Sequence, residues 1–355
     1  MIEYSVRLAQ EVKMDVVSAI IYNVGIFFIM MIPGIILKKC NMISDGFGKG
    51  LSNLVLYIAQ PALVFLAYVK DFDKNILINS IYVFIFSIIC HFLFSVCAML
   101  VFKKTPDSKA RMLKFATIFS NAAFLGIPLI NAVLEKQYPG ATLYASIYNI
   151  TFNLFLWSLG VRICTENRDE NENGVCDYKE EADRIASEVG ASTKAGGSIL
   201  KALKHPVTIA AALGLVFFIL PINGYIPKIV IESLTMLKNL VAPLSMVVIG
   251  IRLADMDFRG AHRDKYMYIF LALRHIALPL VVILLIKLIE LIGIPTSTVA
   301  AMVVVIMASA PAASSATMFA EKYRCDSAYV SRIVTISTIL SIATMPLMIF
   351  IFGLI

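Results

Sequence analysis

Long apolar runs separated by short polar clusters recur ten times along the chain, at roughly 14–37, 48–69, 76–102, 110–135, 141–163, 206–222, 227–253, 266–289, 296–320 and 327–353. Each approaches or exceeds the ~20 residues that a helix needs to cross a ~30 Å hydrocarbon core. Val207–Leu220 is the shortest stretch. Helices are the only plausible spanning element, because an open strand edge would leave backbone amides unsatisfied in lipid. The first run is expected to be retained rather than cleaved as a leader. It is too long for one, and Lys38-Lys39-Cys40 follows it in place of a small-residue cleavage site.

One long polar stretch, 164–205, rich in Glu, Asp, Asn and Lys, divides the runs into five and five. Because five is odd, equivalent helices of the two halves must run in opposite directions, which is the inverted repeat common in secondary carriers. Weak internal similarity agrees. Leu51-Ser-Asn-Leu-Val-Leu-Tyr-Ile-Ala-Gln-Pro61 resembles Leu237-Lys-Asn-Leu-Val-Ala-Pro243, and each precedes an Asp-x-Asp cluster, Asp71/Asp73 and Asp255/Asp257. The fourth segments of the halves also correspond. Ser120–Pro128 and Ala308–Ala316 are both stretches of small residues, Ser/Asn and Pro, and each ends near a Glu-Lys pair, Glu135-Lys136 and Glu321-Lys322. The expected fold is an all-α membrane protein of ten transmembrane helices in two inverted five-helix repeats.

Composition explains where such a chain can live. Of 355 residues 59% are hydrophobic and 15% charged, against about 25% charged in a soluble domain. An aqueous surface could not hide that much apolar area, so lipid is the solvent. With the N-terminus outside, 22 of the 31 Lys and Arg residues fall on cytoplasmic flanks, among them Lys38, Lys39, Lys109, Arg111, Arg252 and Arg259, and 7 fall outside, among them Lys70, Lys136 and Lys228. This bias puts both termini outside the cell membrane and the linker in the cytoplasm. The net charge of +7 is then a topology signal, and no nucleic-acid partner is needed to explain it. Cys40, Cys164, Cys176 and Cys325 lie at cytoplasmic flanks and Cys90 and Cys97 within the third segment; none has zinc-site spacing. No Gly-x-Ser-x-Gly, His-Glu-x-x-His or phosphate-loop pattern occurs, so neither an enzyme nor an ATP-driven pump is expected, and no cofactor or metal.

The candidate chemistry sits inside the apolar runs. A mid-helix proline removes a backbone bond, and paired interrupted helices near the midplane are the best sequence pointer to a carrier's substrate site. Pro128 and Pro311 occupy corresponding segments; Pro61 and Pro243 are read as packing kinks. Asn121 can both donate and accept beside small Ala122, Ala123 and Gly126, which would leave room next to an opened backbone; its bland alternative is a helix-to-helix hydrogen bond. Ser120, Ser309, Ser314 and Ser315 flank the same points, although such serines often bond their own backbone. Gln60 and Asn53, seven apart, would share one face of helix two. Arg274 is an intramembrane cation and a functional candidate by default, yet it is close enough to the cytoplasmic end to snorkel. His91 is read as a neutral core residue, and Asn149 and Asn153 as a weaker pair on helix five.

These residues resemble the auxin efflux carrier family, the PIN-like permeases. The marks are Pro33-Gly34 with Lys38-Lys39, Leu51–Leu63 with Gln60-Pro61, and Asn121-x-x-x-x-Gly126-Ile-Pro128-Leu129. The second half adds Arg274 with Pro279, Ser309-Ala-Pro311 and Phe319-Ala-Glu-Lys-Tyr323 leading to Asp326. The short linker resembles prokaryotic members. The resemblance implies a scaffold of helices 1–2 and 6–7 (14–69 and 206–253) and a transport domain of helices 3–5 and 8–10 (76–163 and 266–353). It further implies that helices 4 and 9 are broken and cross at their prolines, that the protein forms a homodimer through the scaffold, and that a small organic anion moves by an elevator-like shift. Asn121, Pro128 and Pro311 would stand at the crossing. The alternatives are a sodium-coupled carrier like the bile-acid symporters, or a channel. Those symporters use an acid on helix nine, where this chain has only Glu321, at the end.

Overall fold

The apolar runs fold as helices whose breaks follow the prolines. The computed structural model describes residues 2–44, 46–165, 203–220, 222–255, 264–293, 297–323 and 325–354. In chain order these are α1 (Ile2–Lys39), α2 (Phe47–Tyr68), α3 (Lys74–Val101), α4 (Asp107–Ile118), α5 (Ala122–Val133), α6 (Ala141–Thr165), α7 (Pro206–Ile219), α8 (Lys228–Ala254), α9 (Lys265–Leu291), α10 (Thr298–Ser309), α11 (Ser315–Lys322) and α12 (Ser327–Leu354). Seven are long and apolar enough to cross a membrane: α1, α2, α3, α6, α8, α9 and α12; α5, α7 and α10 are shorter apolar helices. Among the described residues the only bridge between extended segments joins Ser120 and Ala312. The linker residues 166–202, with Cys176, and the loop positions Asp257, Arg259, Arg263 and Arg324 lie outside the described residues.

Three prolines act through the turn that precedes them. Pro61, Pro128 and Pro279 are each the second residue after a π-turn, at Val55–Ala59, Ala122–Gly126 and Leu273–Ala277. The ring would clash with the carbonyl four residues back and offers it no N–H. Widening that turn by one residue relieves the clash and keeps the helix running. In α8 the same conflict at Pro243 loosens the chain at Leu240, which separates Lys228–Asn239 from Val241–Ala254.

α10 lies at the centre. Every side chain from Ala300 to Ser309 is buried, as a helix that is apolar all round requires. It is packed by α3, α6, α9 and α12. α1 crosses α8 on two glycines. A Cβ on Gly34 would come within 2.2 Å of the Val247 carbonyl oxygen, and one on Gly250 within 2.1 Å of the Met31 carbonyl oxygen. The backbones therefore touch directly, the small-residue packing that membrane helices use in place of a hydrophobic driving force. Lys38 and Asp255, 3.2 Å apart, close the Lys38 end of this pair.

Because both obstacles are backbone atoms, Gly250→Ala cannot be absorbed by a rotamer change. Overpacking here is expected to cost about 1–3 kcal/mol or more. A melting curve in mild detergent checks it, with Gly25→Ala, where nothing lies within 4 Å of the added methyl, as the silent control.

Candidate functional site

The fourth and ninth apolar runs each break in the middle, and the two breaks are bonded to each other. α4 ends at Ile118 and α5 starts at Ala122; α10 ends at Ser309 and α11 starts at Ser315. The intervening extended residues pair antiparallel. Asn121 N donates to Pro311 O at 2.7 Å and Ala313 N to Phe119 O at 2.8 Å. Asn121 Nδ2 adds a bond to Ser314 Oγ at 3.1 Å, and Asn121 O accepts from the amides of Leu125 and Gly126, both at 3.1 Å. Two broken helices thus replace their missing bonds with a short strand-like crossing, as backbone at membrane depth must.

Arg274, in the π-turn of α9, braces this crossing. It is fully buried, and its fork spans both broken helices: Nη1 donates to Thr117 O at 3.3 Å and Nη2 to Ala310 O at 2.7 Å. Phe94 lies 5.3 Å beneath the guanidinium. Those carbonyls belong to the C-terminal ends of α4 and α10, where the helix dipoles are negative. No carboxylate among the described residues pairs with this cation; the dipole ends hold it.

The next residue, His275, secures the other side. His275 Nδ1 is 2.9 Å from Thr344 Oγ1 and Nε2 is 2.8 Å from Ser337 Oγ, which itself accepts from Ala312 N at 2.9 Å. Thr344 donates its hydroxyl hydrogen to Leu340 O at 3.1 Å, so its oxygen accepts from His275 Nδ1. With Ser337 accepting from Ala312, its hydrogen goes to Nε2. The bonding pattern thereby assigns a neutral imidazole protonated on Nδ1.

Two side chains reach the crossing from other helices. Gln60 Nε2 of α2 donates to Ala123 O at 2.8 Å. Arg252 Nη1 of α8 donates to Ser314 O and, at 3.1 Å, to Thr317 Oγ1. Several buried polar atoms have no partner: Gln60 Oε1, Ser120 Oγ, Ser309 Oγ, Ser315 Oγ, Ser245 Oγ and Asn149 Oδ1. Most buried polar groups in proteins are bonded; of these atoms, those of Ser120, Ser309 and Ser315 lie at the crossing itself and Gln60 is bonded to it.

A family model described as membrane transport protein matches residues 19–349. The chain belongs to that family, the auxin efflux or PIN-like carriers. Among similar proteins is an uncharacterized transporter of Methanocaldococcus jannaschii, 24% identical over 250 residues, covering 68% of this chain and 70% of that protein. Another is the lysosomal cholesterol signaling protein of Mus musculus, 23% identical over 200 residues, or 54% of this chain but only 21% of that protein. The carrier is accordingly a multi-pass membrane transporter.

The structure sorts the sequence candidates of this carrier. Asn121, Ser120, Pro311, Ser309 and Ser314 converge on the crossing, with Gln60 and Arg274 bonded to it. Pro128 stands two residues beyond the π-turn, in the first turn of the continuing helix. Asn149 and Asn153 are both buried on α6. His91 is enclosed between the Phe155 and Tyr148 rings, its Nδ1 2.7 Å from Ser87 O. Three expectations need correction. Asn53 does not share a face with Gln60: it is exposed while Gln60 is buried, because the π-turn between them adds a residue and rotates the faces apart by about 100°. Arg274 does not snorkel, since both its terminal nitrogens find carbonyls within the protein. The space beside Gly126 is not open; Met307 Sδ would lie 2.6 Å from an added Cβ. Arg252 was overlooked as a site residue because a cation two residues from the end of a helix reads as a topology charge.

Ser337→Ala should lower stability by about 1–3 kcal/mol, because it strands both the Ala312 amide and His275 Nε2 in the core. Ser337→Thr keeps a hydroxyl there and should recover most of the loss. Paired melting curves check this, and equal losses in the two variants would remove the chain from Ala312 to His275 as the cause.

Proposed function

We propose that this carrier moves a small organic anion, with the substrate bound at the crossing of α4–α5 and α10–α11. The observation that carries the reading is electrostatic. Four helix ends meet at the crossing, two negative and two positive. Arg274 neutralises the negative ends of α4 and α10 by bonding their carbonyls. The positive ends of α5 and α11 remain, the arrangement by which half-helices attract anionic substrate groups. The unpartnered hydroxyls of Ser120 and Ser309 supply donors of the kind a carboxylate accepts.

In this reading ten membrane segments form two inverted five-helix repeats. α1, α2, α7 and α8 make a scaffold through which two copies pair, and α3–α6 and α9–α12 make a transport domain that shifts as one body against it. The direct contact of α1 with α8 supports a scaffold that does not flex. Both termini face outward and the linker lies in the cytoplasm. The bile-acid-symporter type of sodium coupling has less support, since the only acid of α10 and α11, Glu321, is exposed at the far end.

Asn121→Ala should raise the Kd for small carboxylates at least tenfold while the melting temperature moves little. A purely structural bond would show the reverse, a loss of about 1 kcal/mol of stability with affinity intact. Titrating a panel of mono- and dicarboxylates against wild type and mutant decides it, and unchanged affinity would remove the crossing as the binding site.

Topology is tested separately. Cysteines at positions 106 and 224 should label from opposite sides of the membrane with an impermeant reagent, 106 from the cytoplasm. Labelling from one side would sink the inverted repeat.

A further inference from the structure

The two halves hold equivalent ion-pairing groups in different states. Aligning Pro61 with Pro243 sets Lys70 against Arg252, each nine residues further on, the first two residues past the end of α2 and the second in the last turn of α8. The Glu-Lys pairs that close the broken segments set Glu135 against Glu321. In the first half the pair is made. Lys70 Nζ is 3.0 Å from Glu135 Oε1, with both side chains about four-fifths covered, and Glu135 is fixed in place by the amides of Gly140 at 3.2 Å and Thr142 at 2.7 Å. In the second half it is not. Arg252 rests on Ser314 O and Thr317 Oγ1, while Glu321 is exposed and makes no ion pair among the described residues, although its charge reaches Arg252.

Thr317 and Glu321 are four residues apart and so stand on one face of α11, a single turn or about 5.4 Å from each other. Moving α11 past α8 by one turn toward the outside would exchange Thr317 for Glu321 against Arg252. The same outward movement of α5 past α2 would pull Glu135 away from Lys70 and bring up Asn131, one turn earlier. One rigid shift therefore makes one pair as it breaks the other, a ratchet between two discrete arrangements.

We propose that Lys70–Glu135 and Arg252–Glu321 are alternating latches, the first closed in the arrangement described here and the second in the oppositely facing one. This rests on the inverted-repeat carrier reading above and adds the four residues that hold its two end states.

The test uses full-length protein with its native cysteines replaced, in lipid nanodiscs, and needs no substrate. Cysteine pairs at 70/135 and at 252/321 are treated with a short bis-methanethiosulfonate linker. Each pair should link when present alone. In a chain carrying all four cysteines, intact mass should show one linker per chain and never both pairs closed together. Glu321→Gln should raise the yield of the 70/135 link about twofold to fivefold, and Lys70→Gln should raise the 252/321 link by a similar factor, as loss of one partly exposed ion pair allows. Glu321 is exposed and has no ion pair with any described residue, so its variant leaves the fold intact and a static structure predicts no effect. Both links closed in one chain, failure of the 252/321 pair to link, or yields unmoved by Glu321→Gln would each overturn the latches. Failure of the carrier reading is a different result, same-side labelling of 106 and 224 or unchanged affinity in Asn121→Ala.

Discussion

A guanidinium with no acid beside it among the described residues holds the middle of this molecule together. Breaking two helices inside a membrane releases carbonyls that neither lipid nor water satisfies there, and at two helix C-termini those carbonyls also carry the negative ends of the dipoles. Arg274 meets both needs at once, because its planar fork can bond Thr117 O and Ala310 O together where a lysine would offer a single point charge. The antiparallel bonds between Asn121 and Pro311, and between Ala313 and Phe119, depend on the two ends being held at that separation. So does the positive field left at the starts of α5 and α11.

The π-turns show how the same chain keeps its long helices while placing polar groups in their interiors. Three of the four widened turns among the described residues sit just ahead of a proline, the fourth being Leu156–Gly160 in α6, and each rotates what lies beyond it. In α9 the widened turn contains Arg274 and His275, which lets two adjacent residues serve two different partners, one on α4 and α10 and the other on α12.

Much of this was legible in the amino-acid sequence. Most of the apolar runs delimit their helices to within a few residues, since hydrocarbon thickness imposes a length that periodic noise does not hide; the first does not, because α1 begins at Ile2, twelve residues before its run. The small-residue stretches around Pro128 and Pro311 marked the breaks, and Asn121 stood out as the one amide among them. What could not be read was phase and partner. The separation of seven between Asn53 and Gln60 implies a common face only if no turn between them is widened, and a following proline is no sure sign of one, since Leu156–Gly160 widens without it and Pro33 and Pro346 sit in helices that do not. Gly126 looked like spare room because its neighbour Met307 lies 181 positions away in the chain. Arg252 was invisible as a site residue because its distance from the helix end, two residues, suits a topology signal equally well.

The bracing by Arg274 also has a consequence for how the chain is made. Thr117 and the arginine that satisfies it are 157 residues apart in sequence. At about 5–20 residues per second of synthesis, the first broken helix waits on the order of ten seconds or longer before its brace emerges. During that interval the break between α4 and α5 has neither Arg274 nor Pro311 to bond it. Each half of the chain is therefore incomplete as a folding unit. The brace on the Thr117 carbonyl of α4 is supplied only when the second half arrives.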